Sequence, residues 1–86
     1  MFIEVTNYES PGKVLINVNS ITSISDAHHA TAKSAIVYPV TYAGTDDDGV
    51  YREKSVLHRG LFKESYASLR GALARNGQIV NVEDHL

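Results

Sequence analysis

The chain has 86 residues, no cysteine and a net charge of −2, which excludes disulfides and cysteine-based zinc sites and gives no bulk electrostatic pull toward a polyanion. With 43% hydrophobic and 21% charged residues it reads as one folded domain spanning 1–86 rather than a disordered segment. No stretch approaches the ~20 apolar residues of a membrane span, and the opening Met-Phe-Ile-Glu-Val-Thr lacks the basic start of a signal peptide, so a soluble cytoplasmic domain is expected. A domain of this length buries only about 60–65% of its extended surface, so its margin of stability is thin.

Ile3 and Val5 alternate with Glu4 and Thr6, which predicts a first strand over about residues 2–7. Tyr8-Glu-Ser-Pro-Gly-Lys13 is turn chemistry, because Pro11 fixes φ and Gly12 tolerates positive φ. Val14, Ile16 and Val18 then alternate with Leu15 and Asn17, giving a second strand over about 13–18 and an antiparallel hairpin with the first. The phase slips at Asn19-Ser20, a bend, and Ile21 to Ser25 is a short third strand or an extension of the second. Asp26 to Lys33 has no period and is a loop or a single helical turn with Asp26 as N-cap. Ile36, Tyr38, Val40 and Tyr42 share one face of a strand over 34–42, in which Pro39 cannot donate to a ladder and so marks a sheet edge or a bulge. Gly44 to Gly49 turns the chain at Asp48-Gly49, a strong hairpin pair, and Val50 to Leu57 pairs back. His58-Arg59-Gly60 breaks that strand before Leu61-Phe62 re-enter the core.

One helix follows. Ser65 is its natural N-cap, with Glu64 beside the positive helix end, and Tyr66, Leu69, Ala72 and Leu73 form the apolar stripe that buries against the sheet. Gly71 costs about 0.5–1 kcal/mol against Ala and marks a close approach to the sheet. Asn76-Gly77 is a left-handed cap, after which Ile79, Val80 and Val82 suggest a last strand. The expected fold is α+β: a small antiparallel sheet of about five to six short strands with one C-terminal amphipathic helix packed on it.

No motif demands a particular chemistry. His28, His29, His58 and His85 fall in no metal-binding spacing, and adjacent histidines on an extended chain point to opposite faces. Asp46, Asp47 and Asp48 precede a glycine as in a calcium loop, but Gly44 and Ser55 occupy positions where that loop needs ligands, so a solvated hairpin tip is expected. There is no nucleophile elbow, phosphate loop or dinucleotide fingerprint. The expectation is therefore no enzyme activity, no cofactor and no metal.

Gly12 and Lys13 on the first hairpin, Leu15 and Asn17 on the second strand, Ile21 and Ile24 beyond the bend, and Glu64-Ser65 opening the helix form a pattern that resembles the small bacterial FlbD/SwrD-like flagellar and swarming accessory proteins. The resemblance covers about half of the chain and implies a small sheet-plus-helix accessory protein without enzyme activity. It carries no functional residue over.

The chemistry-bearing residues left are aromatic and charged. Tyr38, Tyr42, Tyr51 and Arg52, with Asp46, Asp47 and Asp48 at the tip of their hairpin, are the candidate protein-binding residues, since an edge strand offers backbone groups and aromatics offer area. Arg52, Lys54, Arg59, Lys63, Arg70 and Arg75 fall in a segment with only two acids, Glu53 and Glu64, and form the alternative, a nucleic-acid-binding surface. The expected function is that of a bacterial or phage accessory protein that binds another protein and inhibits or modulates a host complex; a nucleic-acid-binding regulator is the alternative. A homodimer is expected through the edge of residues 34–42, the rival being that Ile79 to Val82 cover that edge.

Overall fold

In the computed structural model, which describes residues 1–79, β1 (Phe2–Thr6) and β2 (Lys13–Asn17) pair antiparallel with Phe2 opposite Asn17 and Thr6 opposite Lys13. Period-two alternation turns Ile3, Val5, Val14 and Ile16 to the core and leaves Phe2, Glu4, Lys13 and Leu15 outside. The bend at Asn19-Ser20 is a short 3₁₀ turn, Val18–Ser20, capped by the Asn17 side chain, which accepts from the Asn19 N–H at 3.0 Å.

Three strands follow as a meander in the order β3-β4-β5: β3 (Ser23–His29), β4 (Ala32–Thr45) and β5 (Tyr51–Phe62). The strands therefore form two sheets, of two and three members, and β4 and β5 are long rather than short. Among the described residues a single bridge joins the sheets, Asn7 to Phe62, flanked by Tyr8 N–H donating to the Leu61 carbonyl at 3.2 Å and Lys63 N–H to the Thr6 carbonyl at 2.9 Å. The end of β1 thus covers the outer edge of β5 at its C-terminal end.

The segment 26–33, without a readable period, is a hairpin rather than a loop or helical turn. His29 pairs with Ala32 around Ala30, whose φ is 53, and the register slips between Asp26 and His29. A bulge explains the lost alternation, because an extra residue reverses which side chains face in. His58-Arg59-Gly60 likewise does not break β5. Gly60 stays in the ladder opposite Ile36, and a Cβ there would lie 2.7 Å from the Phe62 ring, so the glycine is a packing requirement and not a stop.

Ser65 caps α1 (Tyr66–Arg75), its side chain accepting from the Ser68 N–H at 3.1 Å. At the other end Gly77 (φ 71) donates to the Ala74 carbonyl and Gln78 to that of Leu73, closing the helix as a Schellman cap. Leu69 and Leu73 are buried, and Leu69 joins Val5, Ile16, Ile36 and Phe62 in the core, between the two sheets and the helix. Gly71 faces no sheet: a Cβ added there would meet only the Arg75 side chain, at 3.5 Å. Glu64 does not serve the helix end either. Its carboxylate accepts from the Thr6 N–H at 2.7 Å and the Thr6 hydroxyl at 2.8 Å, closing β1 onto the end of β5. Of the expected last strand, Ile79 to Val82, only Ile79 is described and it is not in a strand; residues 80–82, like His85, lie outside the described residues.

Candidate protein-binding ribbon

Counting outward from the Asp46–Gly49 turn fixes the register of the long hairpin, from Thr45 opposite Tyr51 to Ser34 opposite Phe62. β3 pairs with β4 only as far as Val37, so beyond that residue β4 and β5 continue as a two-stranded ribbon. Its paired length, Tyr38 to Thr45, is about 27 Å at the usual rise of a strand. The ribbon explains why the Cα radius of gyration is 15.8 Å, against about 12 Å for a compact domain of this length.

Residues directly opposite in an antiparallel pair share a face. One face carries Tyr38 with His58, Val40 with Val56, Tyr42 with Lys54 and Gly44 with Arg52, and it continues the buried face of Ile36 outward. Tyr38 packs against the core and meets the His58 ring edge-on at 5.5 Å. The opposite face carries Pro39 with Leu57, Thr41 with Ser55, Ala43 with Glu53 and Thr45 with Tyr51. Tyr51 is thus on the other side of the ribbon from Tyr38 and Tyr42, its hydroxyl donating to the Glu53 carboxylate at 3.2 Å.

Every residue from Thr41 to Ser55 is exposed. Among them Tyr42 is 58% and Tyr51 62% accessible, and Leu57, at 65%, is the most exposed large apolar side chain of the ribbon. At the tip, Asp46 N–H donates to the Val50 carbonyl and Gly49 (φ 78) returns a hydrogen bond to the Asp46 carbonyl. Arg52 pairs with the Asp46 carboxylate. The Asp48 carboxyl titrates below its ordinary value, first through its hydrogen bond with Asp46 and then through the Val50 N–H. Asp47 is exposed beside them, and no three His, Asp or Glu side chains among the described residues converge as metal ligands would.

The six basic residues divide. Arg52 and Lys54 share the Tyr42 face of the ribbon, Arg59 lies on the other face opposite Val37, and Lys63 follows the end of β5. Arg70, half-buried, lies beside Ile24, Tyr66 and Leu73, and Arg75 occupies the last turn of the helix. A cleft of about 350 Å³ opens at the ribbon's root between Tyr8, Tyr38, His58 and Gly60. Leu57 and Val56 are surface residues of the ribbon that the sequence did not single out, and His58 and Val40 enter it as a ring partner of Tyr38 and an apolar pair with Val56. Asp48-Gly49 signals the hairpin but not these partners: a two-residue loop at that pair would set Thr45 opposite Arg52, one residue off the observed Thr45–Tyr51 register, because the turn spans Asp46–Gly49 and only Gly49 takes a positive φ.

No family model, curated protein or solved structure matches this chain.

Proposed function

We propose that this protein is a non-enzymatic binding module whose working surface is the β4–β5 ribbon, and that it acts by docking this ribbon on another protein. The ribbon itself carries the reading: two long strands leave the core with both outer edges unpaired among the described residues and with Tyr42, Tyr51 and Leu57 in solvent. Unpaired strand edges invite a further strand, and exposed aromatics supply the anchors that dominate protein interfaces. A nucleic-acid surface fits less well, because the basic residues are split between two ribbon faces and the helix rather than lining one groove.

Capture from a host-cell lysate, read by quantitative mass spectrometry, tests this. Tyr51→Ala and Leu57→Ser are expected to lose a stoichiometric protein partner that Arg75→Ala retains. Co-purifying nucleic acid, released steeply between low and moderate salt and indifferent to Tyr51 and Leu57, would overturn the reading in favour of phosphate binding.

A further inference from the structure

We infer that β4 pairs along its free edge, Tyr38 to Thr45, with β4 of a second copy of this chain, about a twofold axis at Tyr42. The inference rests on the ribbon being a binding surface and names one of its partners. Backbone direction is the starting point. The Thr22 N–H donates to the Val37 carbonyl from the β3 side, and successive residues of a strand turn their backbone groups to alternate edges. Pro39, Thr41, Ala43 and Thr45 therefore present their carbonyls, and all but Pro39 their N–H groups, on the edge that β3 leaves open among the described residues. β3 bounds this stretch at one end and the Asp46–Gly49 turn at the other, so the open edge is as long as the segment that would fill it. With Tyr42 opposite its copy, Thr41 and Ala43 exchange both hydrogen bonds. Thr45 donates to Pro39, which has no N–H to return, so proline forfeits a single bond at each end of the ladder.

The side chains agree. Tyr42 would meet Tyr42 in a non-hydrogen-bonded pair, where side chains approach most closely, and Val40 would lie opposite Gly44. Two ribbons of two strands become one sheet of four, which removes the weakness of a lone two-stranded ribbon in water. Charge fits as well. In this register the Asp46–Asp48 tip of one copy reaches the start of β3 in the other, the strand where Arg70 lies beside Ile24 without a carboxylate partner among the described residues. Any foreign strand could match the backbone. The equal lengths, the paired tyrosines and the opposed charges single out a second copy.

Because the chain has no cysteine, a single one reports the register directly. Cα atoms in a non-hydrogen-bonded antiparallel pair lie about 4.5 Å apart, within the ~4.4–6.8 Å that a disulfide spans. Mild oxidation is expected to convert Tyr42→Cys to a covalent dimer, while Leu57→Cys, similarly exposed but on the outer strand, stays monomeric. Light scattering is expected to give a dimer mass for the wild type and a monomer mass for Thr41→Pro, which removes an outward N–H and no bond to β5. A Tyr42→Cys that stays monomeric, or cross-links no more than Leu57→Cys, overturns the pairing, as does a monomeric wild type at high micromolar concentration. Partner capture that still depends on Tyr51 and Leu57 in such a protein leaves the ribbon reading standing and separates the two failures.

Discussion

Ser34 is fully buried, and its hydroxyl has no hydrogen-bond partner among the described residues. A buried hydroxyl left unpaired costs about 1–3 kcal/mol, so Ser34→Ala is expected to hold or raise the melting temperature, a result that calorimetry reads directly. Two glycines that look alike in sequence behave oppositely for a similar geometric reason. At Gly60 a methyl group would strike the Phe62 ring, whereas at Gly71 it would make only an ordinary contact with the Arg75 side chain. Gly71→Ala is therefore expected to stabilise by about 0.5–1 kcal/mol, and Gly60→Ala to destabilise by about 1–3 kcal/mol through overpacking. Denaturant melts of the two variants check the signs, and equal effects would refute the packing account of Gly60.

At the scale of elements, the helix rests on its cap and its two buried leucines. Ser65→Ala is expected to cost about 0.5–2 kcal/mol and Leu73→Ala about 2–5 kcal/mol; a Leu73→Ala protein melting with the wild type would contradict the buried position. Both residues were legible in the sequence, as were the β1–β2 hairpin, the Asp48-Gly49 turn and the Gly77 cap, because each depends on neighbours within a few positions. What escaped depends on partners far along the chain. The bulge before His29 scrambled the alternation of β3, and Gly60 read as a breaker because only the fold reveals the Phe62 ring above it. Pro39 marks an edge in the sequence, and among the described residues it has a neighbour only on the β5 side. The edge of residues 34–37, however, is covered by β3, and Ile36 there is wholly buried, so self-association along 34–42 is narrowed to the stretch beyond Val37. The candidate tyrosines were legible as residue types but not as a surface, since the register sets Tyr51 on the face opposite Tyr42.

Over the whole molecule, the two sheets meet at the Asn7–Phe62 bridge and at the Glu64 carboxylate on Thr6. Partial burial pushes the Glu64 carboxyl up, but the hydrogen bonds from the Thr6 N–H and hydroxyl outweigh it and the net shift is downward. A carboxylate with a depressed folded-state value contributes stability above its unfolded value, near about 4.3, and that contribution is lost as pH falls through the folded value. The wild type is therefore expected to lose more stability than Glu64→Gln on acidification below that point, as thermal melts across the acid range would show. Parallel curves for the two proteins would remove Glu64 from the account of acid stability.

The clasp also orders events while the chain is being made. Thr6 and Glu64 are 58 positions apart; Phe62 of the core comes just before the second of them and Leu69 after it. The first hairpin leaves the ribosome with Ile3, Val5, Val14 and Ile16 facing nothing they can finally pack on, and the meander is added before the core can shut. Closure has to wait until residue 64 has emerged, so the nascent domain has no closed core before then. Its long hairpin, whose turn and register are local, can zip first and hold the two ends of the meander in line for the late strand contact.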